Sequence, residues 1–95
     1  MSDISPSRDA VQRLRRIEGQ IKGIQKMIEE KRPCEDVMTQ MMAARAALDQ
    51  VAKQVVVLHI DECLTSLPPD RARTAVGRAI DLLSRIPPQP ANNGD

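Results

Sequence analysis

Phenylalanine, tyrosine and tryptophan are absent from all 95 residues. Any core must be filled by Ile, Leu, Val, Met and Ala. With about 80 residues outside a terminal stretch of proline and small polar residues, such a core is thin for an isolated monomer. The same absence removes the stacking platforms used on single-stranded nucleic acid and the cages that bind cations through aromatic faces. No apolar run approaches the roughly 18 residues of a membrane span. The polar segment Met1–Asp9 lacks the apolar middle of a secretory signal, so the expectation is a cytoplasmic chain. Disulfides are uncommon there, and the two cysteines are expected to be free thiols, metal ligands or redox centres. There is no phosphate-binding glycine loop. No Ser/His/Asp or Cys/His/Asn set stands near a glycine-rich turn, and an enzyme is not expected. Net charge is only +1, so a nucleic-acid partner must be argued from how charge is distributed.

What is present is helical periodicity. Val11, Leu14, Ile17, Ile21, Ile24 and Ile28 form a seam at spacings of three and four, predicting a helix from Ser7 or Arg8 to Glu30. Gly19 and Gly23 interrupt its propensity and suggest close approach of another helix. Pro33 suits the first turn of a second helix, with Glu35 and Asp36 favourable at its N-terminus. That helix runs to Cys63 or Leu64 with a stripe of Val37, Met38, Met41, Ala44, Leu48, Val51, Val55 and Leu58. After Leu67-Pro68-Pro69, Asp70 is the expected N-cap of a third helix carrying Ala72, Val76, Ala79, Ile80, Leu83 and Ile86. Pro87-Pro88 ends it. The expected fold is all-α: a three-helix protomer with a long second helix, a domain over residues 1–86 and a disordered tail over 87–95.

Three residues carry chemistry. His59 and Cys63 are four apart, on one face of a helix. Cys34 stands at the start of the same helix, where free N–H groups and the helix dipole favour a thiolate. Lys31 and Arg32 act in the same sense, Glu35 and Asp36 against it. Cys34 and His59 are separated by 25 residues, roughly 37 Å of helix at 1.5 Å per residue. One chain cannot join them without breaking that helix. Two antiparallel copies can, crossing near residues 47 and 48, where Ala43, Ala44, Ala46 and Ala47 permit close approach. The two-fold arrangement makes two equivalent Cys/His/Cys sites. Two thiolates and one imidazole form a soft set that selects copper(I). Zinc prefers four ligands, for which Asp61, Glu62 or water are available. Nickel and cobalt prefer more nitrogen than one histidine provides.

Plainer readings compete. Either cysteine alone is equally well a core residue. Met38, Met41 and Met42 read as core filler before they read as a methionine copper site. Arg13, Arg16 and Gln20 align along one side of the first helix. A solvated face is the simpler reading of that row; phosphate contact along a DNA backbone is the functional one. The proline turns and the long second helix do not make a helix-turn-helix.

The segments Arg13-Leu14-Arg15-Arg16-Ile17-Glu18-Gly19-Gln20-Ile21, Gly23-Ile24, Met27-Ile28-Glu29, Cys34-Glu35-Asp36-Val37 and Gln40, followed by His59-Ile60-Asp61-Glu62-Cys63, resemble the copper-sensitive operon repressor family. The likeness runs from about Arg8 to Ile86. It implies an antiparallel helical-bundle dimer that pairs into a flat tetramer. It implies binding to double-stranded operator DNA without a helix-turn-helix, and release by an inducer. The implied copper(I) ligands are Cys34 of one subunit with His59 and Cys63 of another. The implied DNA-contacting residues are Arg13, Arg16 and Gln20, with Lys53 serving where some members carry an arginine at the position of Gln50. The family also holds nickel or cobalt, formaldehyde and persulfide sensors. A persulfide sensor of the same fold would use Cys34 and Cys63 as an intersubunit thiol switch, and a helical copper-buffering protein without DNA function is the more distant alternative. His59 together with Cys63 favours copper. Two departures stand out: Pro33 where copper sensors often have tyrosine, and Arg78 where some carry a third-helix glutamate.

Overall fold

A computed structural model describes residues 6–88, and among these there are three helices and no strand. They are α1 (Pro6–Glu29), α2 (Cys34–Ser66) and α3 (Pro69–Ser84). Residues 89–95 of the expected tail lie outside the described residues; Pro87 and Pro88 follow α3 without regular structure.

The boundaries follow from backbone chemistry. At the end of α1 the Arg32 N–H donates to the Met27 carbonyl at 2.9 Å and the Lys31 N–H to that of Ile28 at 3.0 Å. This paired capping pattern needs a left-handed residue, and Lys31 supplies it with φ 57°. A glycine is the usual occupant, because a side chain there clashes with its own backbone. Lys31→Gly should therefore stabilise the chain by about 0.5–1 kcal/mol, read as a rise in the denaturation midpoint. A neutral or destabilising result would mean that the Lys31 side chain contributes more than its strain costs. Pro33 is not in the first turn of α2 but just before it. Its carbonyl accepts from Asp36 N–H at 3.0 Å and Val37 N–H at 3.2 Å, and Cys34 is the first helical residue. Asp70 is likewise not the cap of α3. Pro68 occupies that position and Pro69 is the first helical residue, with no side-chain cap bond. A proline there forfeits only an N–H that has no helical partner, and Asp70 instead places its charge in the first turn. At the other end, Arg85 and Ile86 donate to Leu82 and Leu83, both at 3.1 Å, closing α3 with tighter turns before the prolines.

The described residues form two compact units, which divide between Val51 and Ala52. In the first, Ala10 and Ile17 of α1 pack with Val51 of α2, and Ala47 lies against them. The seam of α1 divides here. Ala10, Ile17 and Ile24 are buried, whereas Leu14, Ile21 and Ile28, offset by three or four residues, are 40%, 47% and 58% exposed. The methionines do not fill this core either: Met38, Met41 and Met42 are all exposed. The suggested role of Gly19 and Gly23 is not met within the chain, since a methyl group at either position would touch nothing within 4 Å. In the second unit Cys63, Ala72 and Ala79 are buried. Leu64, Leu67, Pro69, Ala72, Val76 and Ile80, with Arg73 and Gly77, line an apolar groove of about 600 Å³.

Among the described residues only Ala79 keeps less than 2% of its surface exposed, and half of the eight buried apolar residues are alanines. At about 25 cal/mol per Å² such a core gives little stability to a single copy.

Candidate functional site

Cys63 projects from the last turns of α2 and is 5% exposed. One turn earlier, His59 is exposed and places Nε2 3.6 Å from the Cys63 sulfur. The four-residue spacing on an unbroken helix produces this meeting. Glu62, Ser66 and Leu67 complete a pocket of about 300 Å³ around the pair. The distance allows a thiol–imidazole hydrogen bond. It also suits a shared ion: at 2.0–2.3 Å from each donor, one ion would see them at roughly 110°, an angle fit for three or four ligands. The donor set is soft on the sulfur side and borderline on the nitrogen side, so the pair fits a thiophilic metal such as copper(I) or zinc.

Cys34 is a free, exposed thiol at the start of α2. Arg32 and Asp36, which flank it, pair with each other at 3.4 Å. Among the described residues no group of three His, Cys, Asp or Glu side chains is placed to hold a metal ion within the chain. The structure thus joins His59 and Cys63 and does not bring a third such ligand to them.

A second site lies on the first unit. Arg13, Arg16 and Gln20 of α1 and Gln50 of α2 line a groove of about 210 Å³ whose apolar wall is Ile17, Ala47 and Val51. The three α1 side chains expected from spacing therefore converge on one depression, set directly on the residues of the core. Arg13 is also tied to Asp9, with Nε donating to Oδ2 at 2.9 Å. Lys53 is exposed on α2 and is not among the groove's lining residues. Sequence spacing missed Gln50 as a lining residue, because it comes from another helix; the i,i+4 relation of Asp9 and Arg13 was visible. No helix among the described residues is long and apolar enough to cross a membrane.

Residues 7–86 match the family described as metal-sensitive transcriptional repressor. The copper-sensing transcriptional repressor RicR of Mycobacterium tuberculosis is 39% identical over 74 residues, which cover 78% of this chain and 77% of that one. The copper-sensing transcriptional repressor CsoR of Bacillus subtilis is 33% identical over 75 residues, covering 78% and 74%. Among solved structures, the nickel-responsive transcriptional regulator InrS superposes with a TM-score of 0.71 at 36% identity, covering 87% of this chain and 97% of that one. The long helix, the paired thiol and imidazole and the arginine-lined groove thus occur on a chain that belongs to the family of metal-sensitive transcriptional repressors, DNA-binding proteins rather than enzymes.

Proposed function

We propose that this protein is a cytoplasmic copper(I)-responsive repressor whose metal site is shared between subunits: Cys34 from one, His59 and Cys63 from another. The observation that carries this reading is the approach of His59 Nε2 to Cys63 Sγ at 3.6 Å. The only other thiol, Cys34, stands at the far end of the same continuous helix. Bound copper(I) supplies a soft Lewis acid that accepts two thiolates and an imidazole. His59 and Cys63 hold the ion from one helix face, and Cys34 of the partner subunit closes the set. The dimer is antiparallel and pairs further into a flat tetramer. On an ideal helix Cys34, Met41, Leu48, His59 and Cys63 fall within an arc of about 60°. Met41 and Leu48, which share that arc, are exposed in the protomer. A partner helix lying along that face would cover them and meet the ligands.

Arg13, Arg16, Gln20 and Lys53 contact phosphates of the operator duplex in the metal-free state. Phosphate contacts of this kind set affinity and position rather than base choice. Binding of the metal across the subunit boundary favours a second quaternary state with a weaker hold on DNA, the coupling being the difference in copper affinity between the two states. The copper-sensing relatives support this inducer. A persulfide switch needs only the two sulfurs and gives the His59–Cys63 approach no role.

The test is a mobility-shift assay on the operator with and without copper(I), with nickel(II) as a parallel arm. Copper(I) should weaken binding by about 10- to 100-fold, and nickel(II) should not. Undiminished binding at saturating copper(I) would end the proposal, and release by nickel(II) alone would reassign the metal.

A further inference from the structure

We infer that Asp9 is a positioning residue for DNA binding, one that holds the Arg13 guanidinium in place to receive a phosphate. The inference rests on reading the Arg13–Arg16–Gln20 groove as the phosphate-binding surface. Arg13 Nε donates to Asp9 Oδ2 at 2.9 Å across one turn of α1. The two side chains are 49% and 37% exposed. An ion pair so open to water adds little to folding, and the charge of Asp9 in the first turn of α1 favours the helix without needing Arg13. Its effect is on freedom. A guanidinium has five N–H donors in a planar fork, and a bond at Nε leaves the terminal amino groups as donors toward a ligand. Arg13 lines a groove whose wall includes Ile17 and Val51, both buried core residues. The wall is therefore fixed and the arginine is the long, rotatable element. Restraining it before binding removes part of the ordering cost that the complex would otherwise bear.

Asp9 also carries a negative charge, and simple repulsion by the phosphates would act in the opposite direction. The two effects differ in sign, which makes the experiment decisive. Operator affinity is measured by fluorescence anisotropy over a range of salt concentrations for the parent chain, Asp9→Ala, Asp9→Asn, Arg13→Ala and the Asp9→Ala/Arg13→Ala double variant. Asp9→Ala should bind about three- to tenfold more weakly, with an unchanged salt slope, and Asp9→Asn, whose amide oxygen still accepts from Nε, should fall between it and the parent chain. In the Arg13→Ala background the Asp9→Ala change should have no effect. Tighter binding with a steeper salt slope would show that repulsion dominates and would overturn the inference. So would an equal loss in the Arg13→Ala background, which would assign Asp9 to the start of α1 instead, and so would unchanged affinity. If Arg13→Ala itself binds like the parent chain, the groove reading has failed, a result distinct from failure of the Asp9 role alone.

Discussion

Substituting alanine for His59 is expected to leave operator affinity within about threefold of the parent chain while abolishing release by copper(I). His59 is exposed, so its removal opens no cavity in the protomer. It is not among the residues that line the groove proposed to meet phosphate, which are Arg13, Arg16, Ile17, Gln20, Ala47, Gln50 and Val51. Residues that merely orient metal ligands are typically worth 10- to 100-fold in metal affinity. Loss of a ligand itself should therefore weaken copper(I) binding by at least about 100-fold. Cys63 is a less clean target, because a serine in its nearly closed position would bury a hydroxyl. Competition with a copper(I) chelator, run beside the mobility shift, separates the two functions. If His59→Ala lost DNA binding and copper binding together, the residue would be structural. If it kept the copper response, the imidazole would not be a ligand.

The second large effect concerns assembly. Ile21→Glu should convert the proposed dimer to a monomer, weakening self-association by at least about 100-fold, because a two-fold interface meets the new charge twice. Within the protomer the change should be mild, since Ile21 is 47% exposed. Leu14, Ile21 and Ile28 form the outer half of the α1 seam, and Met41, Leu48 and Val55 are exposed on α2. Apolar rows of this kind in a chain with so small a core call for a partner. Sedimentation velocity gives the answer, with Ile21→Ala as a gentler variant expected to weaken the dimer less. The Ile21→Glu monomer should also lose tight copper(I) binding, because no single copy closes the ligand set. An unchanged sedimentation coefficient would place the interface elsewhere.

Much of this was legible in the sequence. The three- and four-residue spacing in α1 and the uninterrupted run from Glu35 to Leu67 gave the helices to within two or three residues at each end. Proline pairs marked the breaks. The His59–Cys63 pair followed from helical spacing, and the row Arg13, Arg16, Gln20 from the same geometry. What spacing could not supply was which half of a two-sided seam a chain uses for itself. Ile17 and Ile24 turn inward while Ile21 and Ile28 remain outside, although all four are isoleucines at heptad-like positions. Nor does residue type alone place a methionine. Met38, Met41 and Met42 are apolar enough for a core and are exposed in the protomer. Asp70 is a good cap by type, but the rigid Pro68-Pro69 pair begins the helix two residues earlier. Gln50 escaped notice as a groove residue because its neighbours there come mostly from α1, remote in sequence and adjacent in space.

The most direct measurement is complementation between two defective chains. Cys34→Ser alone and His59→Ala/Cys63→Ser alone should each lack tight copper(I) binding. When the two are unfolded together and refolded as an equal mixture, mixed dimers should regain one intact site each, about a quarter of the parent stoichiometry for random pairing. Recovery of that tight fraction is the predicted result. A mixture that binds no better than its two components would contradict a site shared between subunits.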